Sequence, residues 1–433
     1  MTSQTASAGA APSGARAWSV LLILCFVYIL NFIDRQLLSI LAKPIQDTLH
    51  VTDGQLGRIG GLYFALFYCI IAIPVGWFAD RTNRSKVLAF ACALWSAATM
   101  ACGLSQTYPQ LVGSRMAVGV GEAGGVPPSY AIISDTFRPG QRGTALGFFN
   151  LGPPIGQALG IAFGASIAAA YSWRHAFLAV GIVGVATALI VFIFVREPKK
   201  GGLDAIVEGE AKPRAGFWST VKMFFTTPGL LLMALAGGAN QFITYGSVNF
   251  TTLFLMREKH MTLQEVAVWL ALLTGVFMSG GIFVSGWLSD VFGKKSKRAY
   301  AIIPAIGLII AAPLFAAFVH EPTWRTAILF LAGPTFFNYF YLSPSVTFVQ
   351  QEVRPEQRVL SGALLLLIMN GIGLGLGPTY VGAASDYLKA YDAHHSLQLA
   401  LYSLLPFYAI SIILFVWLAA ILRRGPKTSG AAA

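Results

Sequence analysis

The chain has 433 residues, 56% of them hydrophobic, with only 11% charged and a mean hydropathy of +0.66. A soluble protein carries about 25% charged residues, so this composition excludes an ordinary soluble enzyme or binding domain and points to a polytopic membrane protein. The net charge of +12 does not argue for nucleic acid, because the basic residues fall in short loops between apolar runs.

Hydropathy predicts twelve spans, at about 17–41, 57–79, 86–105, 109–134, 143–170, 174–195, 228–256, 264–290, 299–319, 324–350, 358–386 and 396–422. Residues 1–16 are Ala/Ser/Gly/Thr-rich and read as a disordered N-terminus. No cleavable signal is expected, since the first apolar run is too long and contains Asp34. Within it, Asp34 and Arg35 have apolar residues on both sides. Charge at that depth is costly and is expected to face a partner or a wet cavity rather than lipid. An acid that trades a proton and a base that holds an anion are what a coupled transporter needs. Cys25, Cys69, Cys92 and Cys102 all lie in apolar runs and read as small core residues, with no disulfide framework.

Span four contains Arg115-Met-Ala-Val-Gly119-Val-Gly121-Glu122, followed by Pro127-Pro128. Arg115 and Glu122 are seven apart, on one face and about 10 Å apart along the axis. They are expected to satisfy each other partly, which leaves Arg35 as the base with spare donors. The embedded set of Asp34, Glu122, Arg35 and Arg115 is formally neutral. One added proton frees an arginine for an anionic substrate group, so Asp34 and Glu122 are the candidate proton-coupling residues. The competing reading is a network that only staples spans one and four.

The chain divides after span six: 17–195 is the N-terminal six-helix domain and 196–227 a cytoplasmic linker. The linker's Phe217, Trp218, Val221, Phe224 and Phe225 recur as an interfacial amphipathic segment. The C-terminal six-helix domain covers 228–422 and a short tail 423–433. Its spans lack comparable charge, so the candidate substrate contacts there are neutral: Asn240, Thr244 and Tyr245 in span seven, Asn338 and Tyr341 in span ten, and Asn370 in span eleven. Lys and Arg concentrate in alternate loops, among them Arg81, Arg84 and Lys86, Lys294 to Arg298, and Arg423, Arg424 and Lys427. The positive-inside rule then places both termini in the cytoplasm.

The halves repeat. Gly76-Trp-Phe-Ala-Asp80 matches Gly286-Trp-Leu-Ser-Asp290, and Arg138-Pro-Gly-Gln-Arg142 matches Arg354-Pro-Glu-Gln-Arg358. A parallel six-plus-six repeat is the architecture of secondary transporters, with the site at the midplane between halves. The fold class is therefore an all-α polytopic membrane protein of twelve transmembrane helices, in two six-helix domains related by a pseudo-two-fold axis. Gly76, Asp80, Arg81 and Arg84, with the degenerate copy at Gly286 and Asp290, form a candidate gating loop. Its glycines would permit close helix approach, and its charges would make a latch.

The Gly76–Lys86 motif and its second copy resemble the loop signature of the major facilitator superfamily. Asn31-Phe-Ile-Asp34-Arg35, Arg115-x-x-x-Gly119-x-Gly121-Glu122-Ala123, Ser172-Trp173-Arg174, Arg196-Glu197-Pro198 and Gly377-Pro378-x-x-Val381-Gly382-x-x-Ser385-Asp386 are similar to the Spinster family within it. That resemblance implies a transporter of sphingosine-1-phosphate- or lysophospholipid-like molecules, with Asp34, Arg35, Arg115 and Glu122 as polar-core residues. The Asp-Arg and Gly-Glu-Ala pieces also resemble organic-anion symporters of the superfamily, so a small soluble organic anion or sugar acid is the alternative cargo. A non-transporting receptor or scaffold is the alternative of another class. The expected partners are an amphiphilic anion, protons and the lipid bilayer, with no nucleic acid. The protein is expected to be a monomer in a cell inner membrane, without cofactor or metal. No nucleophile–base or metal-ligand spacing suggests an enzyme.

Overall fold

The structure, a computed structural model, describes residues 14–198, 216–354 and 357–423, without the side chains of residues 73, 77, 80, 139, 140 and 359. Most of the expected disordered N-terminus, the polar linker and the C-terminal tail lie outside these. The described chain is helical throughout its spans.

Span one is a single helix, Ala15–Ile40, and Ala42–Leu49 and Asp53–Gly60 are short helices that connect it to span two, Leu62–Arg81. Spans three and six are unbroken at Arg84–Leu104 and Trp173–Phe194, as are span seven at Pro228–Arg257 and span nine at Ala299–His320. The other spans are interrupted. Span five runs Pro139–Phe149 and Gly152–Ala170, and span twelve Ser396–Tyr402 and Leu405–Arg423. Spans eight (Leu263–Gly293) and eleven (Arg358–Leu388) each carry one π-helical turn, at Thr274–Met278 and Gly371–Leu376.

Spans four and ten are broken differently. Span four stops at Glu122 and resumes at Val126, and span ten passes through a 3₁₀ turn at Asn338–Tyr341 between Trp324–Phe337 and Leu342–Glu352. Among the described residues, nine helices are long and apolar enough to cross a membrane. A tenth is added when the helix Phe217–Thr226 is taken with span seven, to which it is bent by 77°. The two spans that fall short are four and ten. They occupy equivalent places in the halves, where a transporter repeat puts its discontinuous helices.

The structure extends the repeat beyond the two loops visible in the sequence. His50 and His260, 210 residues apart, both adopt left-handed backbone (φ 51° and 58°). Each is followed by a capping box, Thr52 with Gln55 and Thr262 with Glu265. In each box the threonine side chain accepts the third backbone N–H and the Gln or Glu side chain accepts the cap's own N–H, which fixes where the helix begins.

At the His50 end two symmetry-related seams join the halves, beside contacts of span one and the helix Ala42–Leu49 with span seven. Helix Asp53–Gly60 packs on the end of span eleven, and the start of span eight packs on span five. The first seam is tight because it is lined by glycine. A Cβ on Gly57 would sit 2.3 Å from the Pro378 carbonyl oxygen, and one on Gly54 would sit 2.6 Å from the Asp386 carboxylate. The helix Phe217–Thr226 is amphipathic as expected, but its aromatic residues divide. Phe224 is buried against the bundle, whereas Phe217, Trp218 and Phe225 are exposed, where a membrane surface would cover them.

Candidate functional site

Span one presents Asn31, Asp34 and Arg35 at i, i+3 and i+4, so all three lie on its inner side. Asp34, Glu122 and Arg115 are each 1–2% exposed, while the Arg35 side chain keeps 15%. The adjacent pair thus points apart as neighbouring helical positions must, with Asp34 turned into the N-terminal half and Arg35 toward the space between halves.

Glu122 reaches this site because span four lies very close to its neighbours. A Cβ on Gly119 would be 2.8 Å from the Phe64 carbonyl, and one on Gly121 would be 2.6 Å from the Trp95 amide. No larger residue fits without moving backbone. The helix then ends at Glu122, placing the carboxylate at the break.

The pairing differs from the sequence expectation. Arg35 Nε donates to Glu122 Oε2 at 2.6 Å, and Arg115 Nη1 stands 3.6 Å from Asp34 Oδ2. Arg115 is therefore not held by Glu122, and Arg35 is not the unpaired base. The reason is height: two helical turns separate Arg115 from Glu122, so each finds its partner across on span one rather than along its own helix. The Arg115–Asp34 contact is too long for a hydrogen bond. Both Asp34 oxygens, Glu122 Oε1, and Arg115 Nε and Nη1 have no protein hydrogen-bond partner. The two carboxyl groups are also close enough to act on each other.

Rings enclose the cations. The Arg35 guanidinium lies 5.1 Å from the Phe32 ring, 5.2 Å from Phe64 and 4.8 Å from Tyr68, and Arg115 lies 5.3 Å from Phe64. Such contacts hold a desolvated guanidinium by about 1–2 kcal/mol each. Sequence reasoning missed Phe64 and Tyr68. Their i, i+4 spacing in an apolar run is the signature of ordinary core, and nothing local marks them otherwise.

From the other half, Tyr245 lies beside Arg35, Tyr68 and Glu122. The remaining C-terminal candidates are placed less directly. Asn240 is fully buried and accepts from Thr244 Oγ1. Asn338 Nδ2 donates to the Tyr408 hydroxyl at 2.9 Å, which ties span ten to span twelve. Tyr341 is buried near Gln241, and Asn370 is half-buried where span eleven enters its π turn. Of these, Tyr245 is the residue the fold brings to the charged cluster. Beside that cluster, Val27, Tyr28, Asn31, Trp95, Ser129 and Phe149 line a small cavity of about 10 Å³, room for about one water, and the buried Asn31 Oδ1 has no protein hydrogen-bond partner.

The candidate gating loop reads differently from expectation. No described atom comes within 4 Å of a Cβ on Gly76, and Gly286 meets only the Ser343 side chain at 3.5 Å. Neither glycine makes a close approach here; the glycine-lined seam between the halves, at Gly54 and Gly57, is at the opposite end. The side chain of Asp80 lies outside the described residues. Arg81 and Asp290 are exposed. Arg84 is buried and pairs with Asp135 at 2.7 Å and with Glu197 at 2.7 Å, and Glu197 also accepts the Ser85 N–H at 3.0 Å. These contacts join spans three, four and six within one half.

Comparison with known proteins agrees with this architecture. The family profile described as Major Facilitator Superfamily matches residues 24–378. An "MFS-type efflux pump" of Mycolicibacterium smegmatis is 31% identical over 405 residues, 93% of this chain and 92% of that protein. "Protein spinster homolog 1" of Homo sapiens is 25% identical, over 87% of this chain and 74% of its own. A crystal structure of a bacterial homolog to the human lysosomal transporter Spinster, inward-facing and unoccupied, superposes with a TM-score of 0.88 at 27% identity, covering 95% of this chain and 98% of that one.

Proposed function

Since the chain belongs to the Major Facilitator Superfamily, as a member of its Spinster family and a transporter rather than an enzyme, we propose that it moves an amphiphilic anion across the membrane by alternating access, coupled to protons. The observation that carries this reading is Arg35. It is partly exposed between the halves, held on one edge by Glu122, flanked by rings and faced by Tyr245 of the opposite half. A guanidinium so placed suits a phosphate or carboxylate head group, which it can bind with two parallel donors.

The coupling follows from charge balance. With Asp34 and Glu122 ionised, both arginines are neutralised and Arg35 has no need of an anion. A proton on Glu122 breaks the charge pair and leaves Arg35 to recruit the substrate's head group. When the anion leaves, Arg35 recaptures Glu122 and expels the proton. Asp34, which lies beside Glu122 and meets Arg115 at 3.6 Å without a hydrogen bond, is the second place the proton can rest. The rings of Phe32, Phe64 and Tyr68 around Arg35 support a cargo that carries a hydrocarbon portion.

The positive-inside rule places the Arg84 end and both termini in the cytoplasm of an inner-membrane protein. The closed His50 end is then the outer one, and the inward-facing state of the similar crystal structure supports that assignment. Flux in proteoliposomes under an imposed pH gradient tests the reading. Movement of a single-chain anionic phospholipid, lost in Arg35→Ala, is expected. Movement of hydrophilic organic acids alone would replace the cargo, and no flux of either class would favour a receptor or scaffold.

A further inference from the structure

We propose that Asp53, Arg257, Ser385, Asp386 and Lys389 form a reciprocal carboxylate latch between the two six-helix halves, and that its rupture is the step that opens the His50 end. This rests on the alternating-access reading above and not on the identity of the substrate.

Asp53 belongs to the N-terminal half, and its side chain is fully buried. Its donors come mainly from the other half. Arg257 Nη1 lies 3.0 Å from both of its oxygens, Ser385 Oγ donates at 2.7 Å, and Lys389 Nζ lies at 3.1 Å. Gln46 adds a bond from the N-terminal half. Asp386 returns the arrangement. Its carboxylate, from the C-terminal half, accepts the backbone N–H of Asp53 at 3.1 Å and of Gly54 at 2.8 Å. Each half thus sends one acid into donors of the other.

The receiving cup is preassembled within the C-terminal half. Arg257 is held by Ser396 at 3.2 Å and by Glu258 at 3.6 Å, and Glu258 also caps the start of span twelve by accepting the Leu397 and Gln398 N–H groups. Ser385 is tied to Ser396 at 3.2 Å. On the opposite side, the capping box at Thr52 fixes where helix Asp53–Gly60 begins, so Asp53 is presented from a rigid first turn. The cup persists when the halves part, and only Asp53 and the two N–H groups leave it.

The pseudo-two-fold supplies the comparison that separates a latch from ordinary packing. The symmetry-related seam, the start of span eight on span five, has the same left-handed histidine and the same capping box. There Leu263 stands where Asp53 stands, 210 residues earlier. With the 216-residue offset of the Arg138 and Arg354 motifs, Ser385 and Asp386 correspond to Ala169 and Ala170. Among the described residues no ion pair crosses that seam, so packing of the repeat at this end does not need charge. The ionic cluster is added to the other seam. It can be dissolved by water once parted, which a hydrophobic seam cannot.

The test reads conformation rather than flux. Spin labels at Arg58→Cys, on the helix Asp53–Gly60, and Ala390→Cys, in the turn just beyond span eleven, are both exposed and report the width of this end by pulsed electron resonance in lipid nanodiscs. Cys25 and Cys69 are replaced by serine, while the fully buried Cys92 and Cys102 stay. The parent should give one short distance. Asp53→Asn should add a longer one, and Asp53→Asn with Asp386→Asn should raise the long-to-short ratio about tenfold or more, as expected when a buried ion cluster is dismantled. Lys43→Gln removes an ion pair with Asp47 inside one half and should leave the distribution unchanged. If Asp53→Asn does not fold, Arg257→Gln and Asp386→Asn probe the same latch from the other side. A double variant with the parent's distribution would overturn the latch, whatever the flux. A shifted distribution in a protein that moves no anion would instead overturn the cargo and leave the latch standing.

Discussion

Glu122→Gln tests the coupling argument most directly, because it keeps the side chain's size and removes its charge. In the parent, Arg35 Nε and Glu122 Oε2 are 2.6 Å apart in a site where Glu122 is 1% exposed. A hydrogen bond to a charged group contributes about 1.5–3 kcal/mol net. Substrate binding to the parent at neutral pH must displace that bond or wait for a proton, whereas the Gln variant imitates the protonated state permanently. At about 1.4 kcal/mol per decade, an anionic single-chain phospholipid should bind the variant about tenfold to a hundredfold more tightly at neutral pH. Parent affinity should rise as pH falls and converge on the variant's, whose own affinity should be flat. Gradient-driven flux should be lost in the variant, since no proton is exchanged. Asp34→Asn is the internal comparison. It leaves the Arg35–Glu122 pair in place, so the affinity gain should be much smaller although coupled flux is also lost. Equilibrium binding to purified protein across the acid-to-neutral range, with the same lipid throughout, measures all of this. Weaker binding in Glu122→Gln, or a parent affinity indifferent to pH, would refute the reasoning.

Much of the fold was legible because the bilayer leaves the chain few choices. Twelve apolar runs, charge in alternate loops and two duplicated motifs are long-range regularities, and helices are the structure that satisfies such runs in lipid. The four charged residues of the site were legible for the same reason: charge inside an apolar run has to be explained. Their pairing was not. Sequence spacing measures distance along one helix, and Arg115 and Glu122 found partners on another. The aromatic enclosure at Phe64 and Tyr68 was hidden because its composition is that of any core. The Asp53 latch was hidden differently. Asp53 lies just outside the apolar run of span two and Arg257 at the end of span seven, where charge is unremarkable in sequence. Only the fold brings together residues 204 positions apart. Gly76 illustrates the converse. Its motif suggested close packing, but the structure records one state of a moving protein, with the tight seam at the other end.

Three further outcomes are expected. Gly57→Ala places a Cβ 2.3 Å from the Pro378 carbonyl, a backbone atom that cannot turn aside, so the His50 end should fail to close. Flux should fall about tenfold or more while the protein elutes as the parent does on size exclusion. Tyr245→Phe removes the hydroxyl that faces Arg35 from the other half, and should weaken anion binding severalfold without altering its pH dependence. The last concerns Arg115 and Asp34. Arg115 is 2% exposed, its contact to Asp34 is 3.6 Å, and two of its nitrogens find no protein partner. Arg115→Met leaves Asp34 buried without a cation, which costs about 3–5 kcal/mol unless Asp34 takes a proton. Asp34→Asn in the same chain removes the stranded charge. Replacing both members of a buried pair by neutral residues is often close to neutral in stability. The double variant should therefore melt later than Arg115→Met alone, although it has lost two of the four site residues. Unfolding midpoints by intrinsic fluorescence, scanned at one rate in one detergent, give the order. Recovery in the double variant assigns Arg115 to charge neutralisation, which leaves head-group binding to Arg35. A double variant no more stable than the single one would mean that Arg115 is held by its stacking on Phe64 at 5.3 Å rather than by Asp34, and the division of labour between the two arginines would fail.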